Sequence, residues 1–598
     1  MKNRHTFHIP VMGIGFTIDS PLKVAQYGID SVISLVDDIL VEKMRKLYSE
    51  KFEVPYKEIS DKVDDFRAKR ITSYLNFLQE QSELKFNQLK NITLETNKSL
   101  KEYVAMLPEY SSLKTEFLKL VEDGEDFIKL KDWAAAHLNM GSIDVNIMTK
   151  VDKDNYNNTE ALPKEYNDAH AALRGFANSK LASSLVLSAG MNPRLYSYIS
   201  NFNDFFPDKE GYIKKKIILK VSDYRSAFIQ GKFLAKKGIW VSEYRIESGL
   251  NCGGHAFATE GFLLGPVLKE FKENKEALKT QTQQLLLEAL KEANKVIPSG
   301  NLDLKITTQG GVGTDQEHAF LLKEYQLDSV GWGSPFLLVP EATSVDDKTL
   351  EKLAKAKEED LYLSNTSPLG VPFNTLKGNT KDLEKDSFIA KNRPGSSCPN
   401  KFIALDKEFK ASGLCTASRE YQYLKLKQLD TLSLNAEEKE KKQSEITAKS
   451  CICVGLSTAT LLLNSMDTKK VGKGVSVCPG PNMAYYDKIV SLRGITDHIY
   501  GRKNMMTRAD RPNVFVKELS LYITNLQEKL ENIKVNIDKK QLRSVKKFKN
   551  NLVEGVNYYI NLFIERKQAF ANQKQALLTA LKVENDKLIA IGLEIDKL

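Results

Sequence analysis

The chain has 598 residues, which is too long for a single hydrophobic core, so two to four domains are expected. Its composition, with 42% hydrophobic and 27% charged residues, is ordinary for a soluble protein. The formal net charge of +10, from 87 basic and 77 acidic residues, permits an anionic ligand but does not require a nucleic acid as partner.

The sequence predicts no membrane span and no export signal. The longest apolar run, from about Ile452 to Leu463, contains Ser and Thr and is too short to cross a bilayer. The segment Met1–His5 leads directly into a predicted strand, without the apolar stretch of a signal peptide. We therefore expect a cytoplasmic protein, whose six cysteines indicate metal binding or catalysis before disulfides.

Eight candidate strands follow one another along the chain. Helical patterns separate most of them, as in βα units of a parallel sheet. Several are nearly continuous apolar runs, which is typical of strands buried on both faces. Eight such units predict an α/β fold with a closed (β/α)8 TIM barrel. The predicted strands are Ile9–Gly15, Ser31–Val36, Asp144–Thr149, Ser184–Ser188, Lys216–Val221, Ile239–Tyr244, Leu304–Thr308 and Ser329–Gly331.

A long stretch rich in Lys, Glu and Leu interrupts the second unit. It contains several amphipathic helical patterns, for example at 60–88 and 100–120, and we interpret it as a helical insertion in the barrel. Without it the barrel has an ordinary size, near the ~250 residues of the fold. The predicted domains are the barrel at 1–37 and 140–345, the insertion at 38–139, a cysteine-rich module at 346–505 and a helical region at 506–598.

The last region is almost wholly helical. Its apolar residues recur at alternating spacings of four and three, which predicts a coiled-coil-like seam. Such helices are compatible with a homo-oligomer and also with packing inside one chain. A basic run at 539–549 favours a solvated helix face over a nucleic-acid patch. The seam consists of Leu519, Ile523, Leu526, Leu530, Ile533 and Ile537.

Two glycine clusters follow the seventh and eighth predicted strands. In a TIM barrel the loops after these two strands commonly hold a phosphate. Glycine allows backbone N–H groups to approach the oxygens closely, and the following helix adds its positive end. The clusters therefore predict a phosphate site made of Gly310, Gly311, Gly313, Gly331, Gly333 and Ser334.

The run Asn251-Cys252-Gly253-Gly254-His255 follows the sixth predicted strand. Functional residues of a barrel lie at the carboxyl ends of its strands. Gly253 and Gly254 would allow a flat ring or a phosphate to approach, and His255 can transfer a proton near neutral pH. We predict His255 as the catalytic residue. Cys252 either contacts the ligand or is a small buried residue without a further role.

Three of these segments together resemble the nitronate monooxygenase (2-nitropropane dioxygenase-like) group, FMN-binding TIM barrels that include flavin-dependent enoyl-ACP reductases. The matching motifs follow strands six, seven and eight. They are Gly253-Gly254-His255, Gly310-Gly311-Val312, and the stretch Gly333-Ser334-Pro335-Phe336-Leu337 through Glu341-Ala342.

Two further segments extend the resemblance, which covers about residues 8–343 apart from the insertion. Ile9–Gly15 resembles the Pro-rich first strand, whose backbone, here at Met12 and Gly13, lies near the flavin. Asp144-Val145-Asn146 resembles the third strand, where the Asn lies beside the flavin. Lys150 and Lys220, near the ends of strands three and five, are candidates to offset charge on reduced flavin, with a solvated rim position as the alternative.

The chain departs from the family pattern at three points. Asn251-Cys252 stands where Glu-Ala or Glu-Ser is usual, Phe257 where Gly is usual, and Pro335 where Arg is usual. These departures affect the expected identity of the substrate more than the expected binding of flavin. The resemblance implies an FMN-dependent oxidoreductase acting on a small or acyl-type substrate. The alternatives are a phosphate-binding barrel enzyme without flavin, and an inactive barrel whose helices bind partners.

Five of the six cysteines fall between residues 391 and 500. Four thiolates are the usual ligand set of an iron–sulfur cluster, and zinc accepts the same set. A 4Fe-4S cluster beside a flavin would pass electrons one at a time from an electron donor. The spacings match no named motif, so buried thiols are the remaining interpretation. The candidate metal ligands are Cys398, Cys415, Cys451, Cys453 and Cys478.

Overall fold

The structure is a computed structural model that describes residues 4–91, 97–124, 127–157, 159–188, 190–535 and 538–598. Within these ranges no single helix has the length and apolar composition of a membrane span. One bent pair of helices, Ala436–Thr447 with Ile452–Leu463, reaches that length and composition together, with a bend of 43° between them.

Eight parallel strands close into a barrel, which confirms the predicted fold. Each strand pairs with the next along the chain, and the first pairs with the last, with Phe7 opposite Val330. The strands are β1 (Phe7–Ile9), β2 (Asp30–Ser34), β3 (Ile143–Met148), β4 (Ser184–Ser188), β5 (Lys216–Val221), β6 (Val241–Glu247), β7 (Lys305–Gln309) and β8 (Ser329–Gly331).

The first strand differs most from its prediction. β1 ends at Ile9, whereas the sequence predicted a strand from Ile9 to Gly15. Pro10 has no backbone N–H to donate to a neighbouring strand, so it ends the ladder. Gly13 has a φ of +56°, which turns the chain across the end of the barrel instead of extending it. The predicted strand segment is therefore mostly a loop over the barrel mouth.

Helices surround the barrel and fill the insertion and the C-terminal region. They are α1 (Ser20–Val24), α2 (Asp38–Lys51), α3 (Phe66–Lys90), α4 (Asn97–Met106), α5 (Ser112–Glu122), α6 (Phe127–His137), α7 (Asp168–Ala177), α8 (Pro193–Ile199), α9 (Tyr224–Ala235), α10 (Leu264–Glu292), α11 (Asp315–Glu324), α12 (Asp347–Ala354), α13 (Thr380–Ala390), α14 (Arg419–Leu429), α15 (Ala436–Thr447), α16 (Ile452–Leu463), α17 (Leu492–Ile499), α18 (Val514–Val535), α19 (Lys539–Glu565) and α20 (Lys574–Asp596).

The insertion between β2 and β3 is helical, as predicted, and consists of α2 to α6. Helix α3 packs against α2 and against the barrel helix α7. Asp38 at the start of α2 forms buried ion pairs with Arg67 and Arg70 of α3. These pairs join two helices of the insertion, and Arg67 also pairs with Asp168 of α7, which links the insertion to the barrel. Another part of the insertion encloses a second apolar core around Trp133.

The residues after β8 return to the barrel. An antiparallel hairpin of β9 (Leu361–Ser364) and β10 (Phe373–Leu376) follows α12. One continuous apolar core extends from Phe7 to Ile595 and includes residues of the barrel, of α16 and of α18 to α20. The segments that follow β8 in the sequence are thus packed against the barrel.

The predicted apolar seam lies in α18. Its residues Leu519, Ile523, Leu526, Leu530 and Ile533 are all buried. Helices α18, α19 and α20 contact one another, so the seam is covered by helices of the same chain. Packing inside one chain therefore accounts for these five positions, and the sixth, Ile537, lies outside the described residues.

Candidate functional site

Two adjoining cavities lie at the carboxyl ends of the barrel strands. The glycine cavity, of about 710 Å³ including its opening, lies between the loops after β1, β6, β7 and β8. The barrel-mouth cavity, of about 1630 Å³ including its opening, extends over the centre of the barrel. The walls shared by both cavities are Val11, Gly13, Glu247, Gly253, Gly254 and Cys478.

Nearly all predicted ligand-binding residues line these cavities. Asn146 and Lys220 line the barrel-mouth cavity together with His255. Those lining the glycine cavity are Met12, Gly13, Gly253, Gly254, Gly310, Gly311, Gly331, Gly333 and Ser334. The chain therefore brings together, at one end of the barrel, residues that are more than three hundred positions apart in the sequence.

Gly313 is the exception among the predicted residues. Its backbone N–H donates to Glu317 Oε2 at 2.9 Å, and its carbonyl oxygen lies 2.9 Å from His498 Nε2. A Cβ atom at this position would meet the Arg511 guanidinium at 2.6 Å. Gly313 is thus surrounded by protein and lies outside the lining of both cavities.

The glycines of the β7 loop have a structural reason to be glycine. Gly310 and Gly311 have φ values of +109° and +83°, a region that residues with a Cβ rarely adopt. A Cβ on Gly311 would also overlap the side-chain amide of Asn251. Close packing of two loops therefore requires Gly311, independently of any ligand.

Gly333 in the β8 loop is different, because its φ of −100° lies outside the left-handed region that favours glycine. A Cβ there would have Pro10 Cγ at 3.5 Å and Met12 Sδ at 3.9 Å, which are ordinary contacts. The protein itself therefore has room for a side chain at this position. The missing Cβ leaves space in the glycine cavity that a bound group can use.

A segment near residue 480 forms one wall of the glycine cavity. The Gly480 N–H donates to Ser334 Oγ at 2.8 Å, and Asn482 Nδ2 donates to the carbonyl oxygens of Gly311 and Val312 at 2.7 and 2.8 Å. The sequence prediction missed this wall. The only local indication is the run Cys478-Pro479-Gly480-Pro481-Asn482, whose Pro and Gly residues predict a loop.

Arg511 fixes the β7 loop from behind. Its guanidinium donates to Gly311 O at 2.7 Å, to Asn482 Oδ1 at 2.8 Å and to both carboxylate oxygens of Glu317. The Arg511 and Glu317 side chains are 5% and 1% exposed, so this ion pair is fully shielded from water. We call Arg511, Glu317 and Asn482 the loop clamp. Nothing in the local sequence identifies it, because its members lie on three distant segments.

His255 is held at the edge of the barrel-mouth cavity by the segment before and within β10. The Asn374 N–H donates to Gly254 O at 2.8 Å, and the Ala256 N–H donates to Pro372 O at 2.9 Å. The His255 ring meets the Phe373 ring edge-on, with centroids 5.0 Å apart. These contacts fix the direction of the imidazole.

The imidazole of His255 is neutral at physiological pH. Burial, with a smaller contribution from the positive charge of Lys220, lowers the pKa of His255 from 6.5 to about 4. Its Nε2 lies 2.7 Å from Ser367 Oγ, and that hydroxyl can donate or accept. A neutral ring offers one acceptor nitrogen and one donor N–H, so it stays neutral only when it takes a proton at one nitrogen and gives up the proton of the other.

Lys220 and Glu247 form a polar pair in the wall of the barrel-mouth cavity. Lys220 Nζ lies 2.7 Å from Glu247 Oε2, and Gln309 Nε2 donates to Glu247 Oε1 at 2.6 Å. Glu247 therefore offsets much of the charge of Lys220. Lys150 also lines this cavity. Both lysines thus lie at the cavity, and their predicted role of offsetting charge on a reduced flavin stays a prediction.

Two buried side-chain oxygens beside the cavities have no hydrogen-bond partner among the described residues. They are Asn146 Oδ1 in the barrel-mouth cavity and Asn251 Oδ1 in the glycine cavity. A buried oxygen without a partner destabilises the fold by about 1–3 kcal/mol. A ligand with N–H or O–H groups would satisfy these oxygens, so the site fits a polar molecule.

The five candidate metal ligands do not form one group. Cys398 and Cys415 belong to one small apolar cluster, and Cys451 and Cys453 lie at the start of α16. Cys478 instead lies against the backbone of Gly13, in the wall of both cavities. In the described ranges no group of three or more His, Cys, Asp or Glu side chains is arranged to hold a metal ion. The predicted metal site is therefore not supported.

Comparisons with known proteins give only distant likenesses. No protein-family model matches the chain, and no curated protein matches it. Among solved structures, the enoyl reductase domain of MlnA from the macrolactin biosynthesis cluster of Bacillus amyloliquefaciens is similar at 12% identity and a TM-score of 0.37, covering 89% of this chain and 97% of that chain.

Two further solved structures are similar at the same level. FabK from Thermotoga maritima has 12% identity and a TM-score of 0.35, covering 87% of this chain and 95% of its own. Nitroalkane oxidase from Streptomyces ansochromogenes has 8% identity and a TM-score of 0.33, covering 83% of this chain and 95% of its own. At such low identities and TM-scores, these likenesses carry no argument about function.

Proposed function

We propose that the protein is an FMN-dependent oxidoreductase acting on a small or acyl-type substrate, with its active site in the barrel-mouth cavity. The observation that carries the proposal is the junction of two cavities at the carboxyl ends of the strands. One is walled by the glycine loops after β7 and β8, and the other is bordered by His255. This is where (β/α)8 enzymes bind phosphate-bearing ligands and place their catalytic residues.

The residues present fit the cofactor. A phosphate would lie in the glycine cavity against Gly310, Gly333 and Ser334. The unpartnered oxygen of Asn251 would accept a hydrogen bond from a ribityl hydroxyl group beside it. When bound, FMN supplies the capacity to accept or donate a hydride or single electrons.

The residues of the barrel-mouth cavity also fit the cofactor. The flavin ring would extend past the backbone of Gly13, Gly253 and Gly254 into the barrel-mouth cavity, which these three residues also line. Asn146 Oδ1 in that cavity would accept a hydrogen bond from the N–H of the ring. The wall on the substrate side is largely apolar, with Met148, Leu369 and Ile452 among its members. An apolar wall suits an alkyl or acyl substituent.

The proposed role of His255 is to hold or move a proton at the substrate. Its neutral imidazole lines the cavity, and its direction is fixed by Phe373 and Ser367. With a pKa of about 4, the ring is unprotonated at neutral pH and can accept a hydrogen bond at one nitrogen while its other nitrogen carries a proton to donate. Lys220, paired with Glu247, contributes positive charge near the same cavity.

The experiment is a cofactor and activity measurement on the full chain. Purified protein, incubated with FMN and desalted, should stay yellow with one flavin per chain. The bound flavin should then be reduced by a nicotinamide nucleotide and reoxidised by an enoyl thioester, or be reduced by a nitroalkane. A preparation that cannot retain FMN overturns the proposal, and favours a flavin-free phosphate-binding enzyme or a partner-binding scaffold.

The His255→Ala variant tests the proton-transfer role. It should retain FMN with unchanged stoichiometry and lose at least a hundredfold in turnover, the scale of general acid–base catalysis. His137→Ala is the matched control, because His137 is an exposed residue of α6. Equal turnover in the two variants would remove His255 from the mechanism while leaving the flavin assignment intact.

The predicted iron–sulfur cluster, with zinc as the alternative, is not part of this proposal. The residues described offer no ready metal site, so the cluster stays a prediction that iron and zinc analysis can test. The predictions of an electron donor, of a homo-oligomer and of a cytoplasmic location also stay predictions.

A further inference from the structure

The hydroxyl group of Ser367 contacts the imidazole of His255 on the side away from the cavity. Ser367 Oγ lies 2.7 Å from His255 Nε2 and accepts a hydrogen bond from the Leu369 N–H at 3.2 Å. Ser367 is fully buried, whereas His255 and Leu369 line the barrel-mouth cavity. A ligand in the cavity therefore meets the imidazole and not the hydroxyl group behind it.

The hydrogen atom of this hydroxyl group has a single acceptor. A serine hydroxyl donates one hydrogen bond, and the Leu369 N–H can only donate to it. Among the described residues, His255 Nε2 is the one acceptor within hydrogen-bond distance of Ser367 Oγ. A buried hydroxyl hydrogen without an acceptor costs free energy, so the Ser367 O–H donates to His255 Nε2.

This hydrogen bond fixes the tautomer of His255. A ring nitrogen that accepts a hydrogen bond carries no proton, so Nε2 is unprotonated and the ring proton is on Nδ1. The ring is then neutral, in agreement with the burial that lowers the pKa of His255 to about 4.

The Nδ1 atom is on the open side of the ring. It has no hydrogen-bond partner in the part of the chain that the structure describes, and it is not sealed from solvent as Asn146 Oδ1 is. Since His255 lines the barrel-mouth cavity, its Nδ1–H is available to a molecule bound there.

We propose that Ser367 is a positioning residue that holds His255 as its Nδ1–H tautomer, so that the ring donates a hydrogen bond to an oxygen atom of the substrate and does not act as a base. The tautomer follows from the hydrogen bonds alone, whereas this chemical role rests on the proposed function. A donor fixed in advance stabilises charge that develops on an oxygen during reaction. Lys220 contributes positive charge in the same cavity.

The tautomer limits the substrates that the site can activate. A thioester conjugated to a C=C bond has a carbonyl oxygen that the Nδ1–H can polarise, which favours addition of a hydride to carbon. A neutral nitroalkane must first lose a proton from carbon. His255 offers no free acceptor nitrogen for that proton, because Nε2 is occupied by Ser367. We therefore expect turnover of the conjugated thioester and not of the neutral nitroalkane.

The experiment reads the tautomer directly, in the full-length protein without added cofactor. The chain has seven histidines, so labelling them with nitrogen-15 gives seven pairs of ring signals, and His255→Ala identifies the pair of interest. Chemical shifts distinguish protonated from unprotonated nitrogens, and couplings to the ring C–H groups distinguish Nδ1 from Nε2. At neutral pH we expect a protonated Nδ1 and an unprotonated Nε2.

Ser367→Ala should release the tautomer. An unconstrained neutral histidine favours the proton on Nε2, so the signals should shift toward that form, and turnover should fall at least tenfold with unchanged FMN affinity. Ser364→Ala is the matched control, because it removes another buried hydroxyl group of the same hairpin, one that donates to Phe373 O at 3.0 Å. It should keep the tautomer and the turnover of the wild type.

Two substitutions of His255 separate donation from acceptance. The amide of His255→Asn keeps an N–H near the position of Nδ1, whereas the carboxylate of His255→Asp can only accept. The Asn variant should retain at least tenfold more turnover than the Asp variant. Equal turnover in the two would contradict the donor role.

Three other results would overturn the proposal. The first is a wild-type ring with its proton on Nε2 or with protons on both nitrogens. The second is an unchanged tautomer in Ser367→Ala. The third is rapid reduction of the bound flavin by a neutral nitroalkane, which would support the proposed function while removing this role of His255. The two spectroscopic results need no flavin, so they are distinguishable from a failure to retain FMN.

Discussion

At the residue scale, the glycines of the site fall into two kinds. Gly311 is required by the protein itself, because its φ is +83° and Asn251 fills the space beside it. Gly333 has a φ of −100°, and a Cβ there would make only ordinary contacts. Sequence patterns identified both positions but could not separate these reasons, because the difference depends on neighbours from other loops.

Gly333→Ala tests the space left for a bound group. The added methyl group should leave the melting temperature unchanged and weaken FMN binding at least tenfold, equivalent to about 1.4 kcal/mol. Gly300→Ala is the control, since a Cβ there meets only Glu210 O at 3.8 Å. Titration of the apo-protein with FMN measures the effect, and equal affinity in both variants would place the phosphate elsewhere.

Gly311→Ala should behave in the opposite way. The left-handed backbone costs about 1–3 kcal/mol for a residue with a Cβ, and the overlap with Asn251 adds to that cost. We expect a clear fall in melting temperature even without FMN. Thermal unfolding of the apo-protein measures it. A variant as stable as the wild type would mean that the two loops are not packed as described.

At the scale of secondary-structure elements, the barrel strands were largely predictable. β4, β5 and β8 have the predicted bounds, because apolar runs between polar or glycine residues define strands locally. The predicted bounds of β1 were wrong because Pro10 ends the strand pairing and Gly13 turns the chain, although both lie inside an apolar run. The loop clamp and the contacts of β10 with His255 were not predicted, since they join segments far apart in sequence.

The loop clamp gives a prediction at this scale. Arg511→Gln removes one partner of a buried ion pair, which costs about 3–5 kcal/mol. It also removes one of the two side-chain hydrogen bonds to the carbonyl oxygen of Gly311, so FMN affinity should fall with stability. Arg508→Gln is the control, because Arg508 is 37% exposed and its ion pairs are worth about 0–1 kcal/mol. Denaturant unfolding and FMN titration measure the two effects.

An effect of the clamp on FMN binding can be separated from an effect on folding. FMN affinity is measured at a temperature where both variants are folded. If Arg511→Gln binds FMN like Arg508→Gln there, the clamp stabilises the fold but does not position the loop.

At the scale of the whole molecule, the C-terminal helices are joined to the barrel by a buried carboxylate. Glu518 of α18 accepts hydrogen bonds from Ser248 Oγ after β6, from the Leu264 N–H of α10 and from the Tyr559 hydroxyl of α19. Burial raises the pKa of Glu518 from 4.5 to about 7, against the lowering effect of these hydrogen bonds.

This carboxylate makes the stability of the chain depend on pH. A group whose pKa is raised on folding stabilises the fold below its unfolded pKa, near 4.5, and that contribution is lost as the pH rises through about 7. Relative to Glu518→Gln, the wild type should lose about 3 kcal/mol between pH 4.5 and pH 8. Glu531→Gln, at an exposed position of the same helix, should follow the wild type at every pH. Denaturant unfolding measured across this pH range checks both differences.

The organisation of the whole chain was predictable only in part. Composition shifts indicated an insertion, a cysteine-rich stretch and a helical end. The insertion and the C-terminal region are helical in the structure. The packing among them was not predictable, because contacts such as Glu518 with Ser248 or Asn482 with Gly311 join positions with no local pattern in common. A single sequence carries the periodicity of each element but not the pairing between distant ones.

The wall contributed by residues 478–482 has a consequence for biosynthesis. A chain leaving the ribosome completes its eighth strand at Gly331, yet the glycine cavity lacks one side until Asn482 has emerged and reached Gly311. During that interval the glycine cavity is open on one side, and the loop at 310–313 lacks its contacts with the loop clamp. Since domains generally fold in the order of synthesis, the strands of the barrel can pair before this wall is in place. If the protein binds FMN as proposed, we expect the complete cofactor site to form only late in synthesis.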